Sequence, residues 1–339
     1  AANTASARII RNNLFVNDRQ NGAGTGAHLA AEFAGGAGFS NLTLNNNIYF
    51  ASDATKLIRS TANTTNYSLS AWRTYSNLDA NSGVAGSLAD IGFANAIGDA
   101  TTVNLHITAA ATVIESSGTS LATVDNDFDG SARSGLTPVD VGADAGNFTI
   151  IDIFPPLISY SPVLNGTLGS SLVLSSFATI TDNVGVSTGV NLPRLYYKKS
   201  TDADAFVGNT SSDNGWKYVS ASNSVSPFDF AIDYSIINGG SVAVADVIQY
   251  FVVAQDDANN FSSQAIGATS SANPPIQNIN GKATTPLSFT IASAITGPKT
   301  VGIGGDYPTL TGAGGLFEAI NNGVIGANLE VNIITDITE

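Results

Sequence analysis

The chain has 339 residues, of which 12% are charged and 43% hydrophobic, with 34 glycines, no cysteine and a net charge of −14. Thirteen Lys plus Arg, in no cluster, exclude a phosphate-reading footprint and with it nucleic acid as a partner, and they disfavour anionic membranes. Disulfides and thiolate metal sites are excluded as well, and no apolar run of about 18 residues or more suggests membrane insertion.

Asn, Ser, Thr and Gly replace the missing charge, a composition that favours strands and turns over helices. With no methionine present, the chain is expected to be a processed product or a piece of a longer one. Residues 1 to about 124 hold short apolar runs parted by Asn, Gly and Ser. Two of them look alike, ARIIRNNLFVND (Ala7 to Asp18) and NLTLNNNIYFAS (Asn41 to Ser52). Parallel β-solenoids give such a pattern, because each coil lays a strand and a turn over those of the coil before. Stacked Asn side chains at an inward turn then bond along the stack. Asn12 and Asn45 are the paired positions expected from the repeat, though turn insertions free the coil from any fixed length. Ordinary strand-turn motifs with chance asparagines are the alternative.

Near Val124 the character changes to VDNDFDGSARSGLTPVDVGADAGNF. Asp125, Asp127 and Asp129 alternate before Gly130, as in the opening of a calcium loop, where alternate oxygens converge on a hard cation. Leu136 stands where an EF-hand needs its bidentate Glu, so that motif is excluded. A looser calcium site, completed by Asp140 or Asp144, is one reading of the segment; no other cofactor is required. The other reading is an ion pair of Arg133 with Asp129 or Asp140 that pins the last coil.

These residues carry a resemblance. Asp129-Gly130, Arg133 and Asp140-Val141-Gly142-Ala143-Asp144 are similar to the closing coil of right-handed parallel β-helix domains in secreted bacterial proteins, with Ala145 where an acidic residue is usual. NNLFVN and YSLSAWRTYSNLDANS (Tyr67 to Ser82) resemble later coils of the same proteins. The resemblance implies a β-helix over residues 1–150.

TIIDIFPPLISYSP (Thr149 to Pro162) follows. Pro155 and Pro156 fix φ and remove two donors, so neither helix nor central strand runs through, and a stiff joint is expected. From Leu157 to Ser293 the pattern is antiparallel. Phe228, Phe230, Ile232, Tyr234 and Ile236 alternate strictly with polar or small residues, the mark of a half-buried strand. SLVLSSFATI, RLYYKKS, WKYVSA, DVIQYFVVAQD and LSFTIAS supply further strands between turn clusters. Six or more short strands fit a β-sandwich, and the DDANN turn resembles those of bacterial immunoglobulin-like and fibronectin-type modules, implying such a sandwich over 151–293. Asp182, Asp256 and Asp257 stand at strand ends, as turn caps or as a second calcium pole.

Lys299 to Glu339 resembles the opening of a parallel β-helix. A helix is expected at Leu316, Phe317 and Ile320, ending at Gly323, and a first strand at Leu329, Val331 and Ile333. Residues 294–339 are therefore read as the cap and first strand of a further β-helix, and the chain as cut from a longer polypeptide.

The order of modules resembles giant surface adhesins of gliding bacteria exported by the type IX pathway. It implies an all-β, non-enzymatic, extracellular stalk or fibre segment at the cell surface. Its expected partners are neighbouring modules, end-to-end copies of itself, or surface glycans. A polysaccharide lyase or hydrolase is the rival, with Asp53, Asp79, Asp90 and His106 as scattered candidates and His28 and His106 in no zinc-binding pair. A carbohydrate-binding module is the third reading, with Trp72, or less readily Trp216, as a sugar platform.

Overall fold

The computed structural model describes residues 7–20, 26–34, 39, 41–136, 139–264, 267–326 and 328–338. Thr137 and Pro138 of the acidic segment, and Glu339 at the end of the last stretch, lie outside the described residues. The chain is all-β with a solenoid arrangement of parallel strand pairs, and it divides into two compact units, Ala1–Phe154 and Pro155–Glu339.

In the first unit the two look-alike runs form successive rungs. Strands β1 (Arg8–Arg11), β2 (Leu14–Asn17) and β3 (Ala31–Phe33) pair in parallel with β4 (Leu42–Asn45), β5 (Ile48–Ala51) and β6 (Ile58–Ser60) respectively. Arg8 stands against Leu42 and Leu14 against Ile48, so Asn12 meets Asn46, not Asn45. Both corners are left-handed, with φ 57° at Asn12 and 54° at Asn46, a conformation Asn tolerates better than any other non-glycine residue. The Asn12 N–H donates to the Asn46 carbonyl at 2.9 Å.

Tyr67 to Ser82, likened above to a later coil, contains a helix instead. After β7 (Asn66–Tyr67) the Ser68 hydroxyl accepts from the Ala71 N–H and starts α1 (Leu69–Ser76); Asn77, at φ 57°, ends it. Strand β8 (Gly83–Val84) then joins β5 as a third rung. A Cβ at Gly83 would lie 2.6 Å from Ile153 Cδ1, so a larger residue there would have to displace that methyl group.

The β2–β5 rung is apolar on both faces, whereas β1, β3, β4 and β6 carry residues such as Arg8, Glu32, Thr43 and Arg59 on one of theirs. Leu44, Tyr49, Leu57, Ile58 and Trp72 fill the inside with Phe15 packed against them. Leu14, Val16, Ile48 and Phe50 face the other way, onto α2 (Leu88–Ile91), β9 (Phe93–Asn95), β10 (Asn104–Ile107) and β11 (Ala111–Thr112). Strand β12 (Thr149–Ile150) pairs in parallel with β11.

The second unit holds two sheets around one core. β13 (Leu157–Ser159), β15 (Ser171–Thr181) and β18 (Phe228–Asp233) form an antiparallel sheet. The other contains β14 (Asn165–Thr167), β16 (Arg194–Lys199), β17 (Lys217–Ser220), β19 (Val247–Gln255), β20 (Phe261–Ser263) and β23 (Leu287–Ala292), with β14 parallel to β23. Phe228, Phe230, Ile232 and Tyr234 pack against Tyr197, Ile248, Tyr250 and Val252 between the sheets. Tyr196, Trp216, Phe251 and Ile276 form a smaller cluster on the far face of the larger sheet, beside the short pair β21 (Thr269–Ser270) and β22 (Ile279–Gly281).

Beyond the sheets, β24 (Ala294–Ile295) and β25 (Pro298–Val301) pair in parallel with β26 (Val324–Ile325) and β27 (Glu330–Ile333). Helix α3 (Leu316–Asn322) lies between them and stops at Gly323, as expected, though Gly323 is extended and not left-handed.

Candidate binding groove

A cavity of about 760 Å³ belongs to the first unit, and its lining includes Asn13, Leu14, Phe15, Phe93, Ile107 and Val141. It lies along the outer edge of β2, the end strand of the β2–β5–β8 sheet. Val103, Leu105 and Phe128 add exposed apolar surface. The polar rim is His106, whose Nδ1 lies 2.6 Å from Asn104 Oδ1 and whose Nε2 lies 3.1 Å from Asp129 Oδ2. Both partners of that pair are about half exposed, so the contact contributes little stability but leaves a hydrogen-bonding edge beside an apolar floor.

The acidic segment builds one side of the groove without converging. Asp127 Oδ1 accepts from the Asp129 and Ser131 N–H groups, at 3.0 and 2.7 Å, and so closes the turn on Gly130. Asp144 Oδ2 accepts from the Ile107 N–H at 2.6 Å and ties this segment to β10. Asp140 is buried and accepts from the Ser116 and Gly146 N–H groups. Burial pushes its pKa up to about 6, and the nearby Glu115 adds to the rise. The Asp125 carbonyl accepts from the Arg133 N–H. Among the described residues, Asp125, Asp127, Asp129, Asp140 and Asp144 form no group of three with ligand atoms within 4.8 Å of one another.

Arg133 does not pair with the Asp129 or Asp140 carboxylate. Its guanidinium reaches the carbonyls of Asn126, Asp140, Gly142 and Ala143, clamping main chain to main chain. The segment likened to a closing coil thereby folds back onto the first described rung. Gly142 N–H donates to the Asn12 carbonyl at 2.9 Å, and the Asn12 side chain bonds both the N–H and the carbonyl of Thr119.

Trp72 is a correction to the sugar-platform reading. Its ring is fully buried among Phe33, Phe39, Tyr67 and Tyr75, so neither face meets solvent, and its Nε1 donates to Asp79 Oδ2 at 2.8 Å. Trp216 is buried to the same degree. Asp79, a candidate for catalysis, is the buried hub of the rungs, accepting also from Ser82 Oγ, Tyr49 Oη and Asn47 Nδ2. Burial lifts its pKa while these donors pull it back. Asp53 pairs with Lys56 in an exposed turn, and Asp90 takes part in the N-terminal cap of α2. In the second unit Asp182 caps the turn at Val184 and Gly185, Asp256 accepts from Asn260, and Asp257 accepts from Ser187.

The feature that sequence reasoning approached and misplaced is the ladder. Asn13 donates through its N–H (2.9 Å) and Nδ2 (3.1 Å) to Asn47 Oδ1, and the Asn47 N–H donates to Ser82 Oγ at 2.9 Å. The third member is a serine, so a search for asparagine repeats ends one rung early.

No protein-family model matches the chain, and no curated protein matches it in sequence. Among the described residues, no helix is long and apolar enough to cross a membrane.

Proposed function

We propose that the chain is a non-enzymatic structural segment of an extracellular surface stalk or fibre, in which right-handed β-helix rungs alternate with an immunoglobulin-like module. The observation that carries this reading is the commitment of polar side chains to the scaffold. Asn47, Asp79 and Ser82 are buried and bonded from rung to rung, and Asp127, Asp140 and Asp144 bind main-chain N–H groups. Side chains spent in this way give length and rigidity, and they leave few groups for chemistry. The segment would join neighbouring modules or further copies end to end and would meet glycans through surface loops.

Electron microscopy of producing cells, with antibody raised against this chain, tests the proposal. Labelled filaments or stalks on the outer surface are expected; label confined to the cell interior or to free globular particles contradicts it. A glycan-processing role is the second reading, favoured by the His106–Asp129 pair beside the groove. It requires release of reducing or unsaturated ends from a polysaccharide panel, lost in His106→Ala; no release from any member removes it.

A further inference from the structure

Strand β16 gives the two faces of the larger sheet different chemistry. Leu195 and Tyr197 enter the core between the sheets, while Arg194, Tyr196 and Lys198 alternate onto the far face. Arg194 is 9% exposed, yet among the described residues it enters no ion pair, although the chain holds 27 Asp and Glu. Its Nη1 donates to the Ile276 carbonyl at 2.9 Å, its guanidinium lies 4.1 Å over the Tyr218 ring, and its Nε is enclosed with no acceptor. A guanidinium stays charged at any physiological pH, and a buried charge is costly until an opposite one answers it. Arg194 lines a cavity of about 390 Å³ together with Phe206, Asn209, Tyr218, Gln277 and Ile279. Asn209 bonds the main chain of Tyr218 through both its oxygen and its nitrogen, so it holds that strand beside the cavity. Exposed Gln277 donates through Nε2 to Asn191 Oδ1 at 2.6 Å, which fixes the amide and leaves Oε1 as an acceptor. Phe206 stacks on buried Trp216 and with Ile279 makes an apolar wall.

We propose that this cavity is a binding site for an acidic sugar, taking one uronate unit of a polysaccharide. Arg194 meets the carboxylate, Gln277 Oε1 accepts from a ring hydroxyl, and the wall of Phe206 and Ile279 takes the C–H face of the ring. Carboxylate, hydroxyls and an apolar face occur together on a uronate. A neutral sugar leaves the Arg194 charge unanswered, and the terminal carboxylate of a peptide brings no hydroxyl to Gln277. The volume is at the small end of ligand sites, which begin at roughly 300 Å³, so one unit enters and the rest of the polymer runs outside. The net charge of −14 opposes a polyanion at a distance, but at physiological ionic strength that field is screened beyond about 8 Å, while the enclosed guanidinium is screened much less.

The probes are methyl glucuronate as its sodium salt, methyl glucoside, which carries a hydroxymethyl group where the first has its carboxylate, and N-acetylglycine. Each is titrated against the full chain by ligand-observed NMR at physiological ionic strength. Saturable binding of the glucuronate is expected, with the glucoside weaker by roughly tenfold or more, on the order of one charge-assisted hydrogen bond lost. Arg194→Gln should abolish that preference. Gln277→Ala changes an exposed residue and keeps the test open if Arg194→Gln does not fold; it should weaken the glucuronate roughly fivefold, as for one neutral hydrogen bond. No binding of the glucuronate, equal affinity for glucuronate and glucoside, or unchanged affinity in both variants overturns the proposal. N-acetylglycine bound as tightly as the glucuronate overturns the choice of a sugar. The site rests on the reading that this segment meets surface glycans, and the two can fail apart. Labelled filaments on the outer surface without glucuronate binding remove the site alone, and glucuronate binding by a chain found only inside cells removes the stalk.

Discussion

The rungs of β1 to β8 and the two sheets of β13 to β23 are both built from short strands, yet they are held in register by different means. Between the sheets, Phe228, Phe230, Ile232 and Tyr234 alternate with outward residues, and a one-residue slip would expose all four. For β18, burial alone fixes that register. Strands β2 and β5 are apolar on both faces, so a slip there exchanges one apolar residue for another and burial says little. There the corner decides: Asn12 over Asn46 in the left-handed region, and Asn13 to Asn47 to Ser82 in hydrogen bonds. Strand β18, with its less buried outer face, can be specified by hydrophobic pattern, whereas β2 and β5, apolar on both faces, carry a polar mark at the corner.

Substitutions can break or sharpen this contrast. The largest effect is expected from Trp72→Ala, which empties the rung interior and removes the indole donor to Asp79; a loss of about 3–5 kcal/mol is predicted from denaturant unfolding of the first unit. Phe230→Ala should cost the second unit a comparable amount and leave the first unit's transition in place. Asn47→Ala removes no apolar area but takes one of four side-chain donors from Asp79 and the acceptor from the Asn13 N–H and Nδ2, and about 2–3 kcal/mol should be lost from the first unit only. An equally mild effect of alanine at Asn47 and at exposed Asn63 would dissolve the distinction.

Asp140 gives a test by pH. Its carboxyl titrates at about 6 when folded against 3.8 otherwise, so between these values the folded chain holds a proton that the unfolded chain has released. The Asp140 contribution is therefore most favourable below pH 4 and is lost as the pH rises through 6. Stability of the first unit should fall across that window in the wild type, and the slope should flatten in Asp140→Asn; an unchanged slope would contradict the assignment. The smallest effect belongs to Asp127→Ala, about 0.5–1 kcal/mol for a lost turn bond. That loss should be equal in EDTA and in calcium, whereas a loss seen only with calcium would restore the metal reading of the loop.

Much of the strand pattern was legible in the sequence. Period-two alternation placed β18 because it has a face that must be buried, apolar runs between turn clusters placed β15, β19 and β23, and the rungs were visible in the paired NNLFVN and NNNIYF runs. Their register was not legible, because the third asparagine of the NNN run gives no sign of which member takes the left-handed corner. Trp72 looked like a platform because helix α1 interrupts the coils and turns that ring inward. The alternation of Asp125, Asp127 and Asp129 is shared by calcium loops and by turns that cap their own N–H groups, and spacing alone does not separate the two. Nothing in the sequence indicated that Gly142 returns to Asn12, a contact made across more than a hundred residues.

Hydrogen exchange on Asn47→Ala, read amide by amide beside the wild type, tests most directly the claim that the corner polar residues hold the rungs together. The Ile48, Gly83 and Ala85 amides, which donate to Asn13, Asn47 and Tyr49, should lose protection together, while those of Tyr250 and Val252 keep theirs. Full protection at Ile48 and Gly83 in the variant would show that apolar packing alone sets the stack.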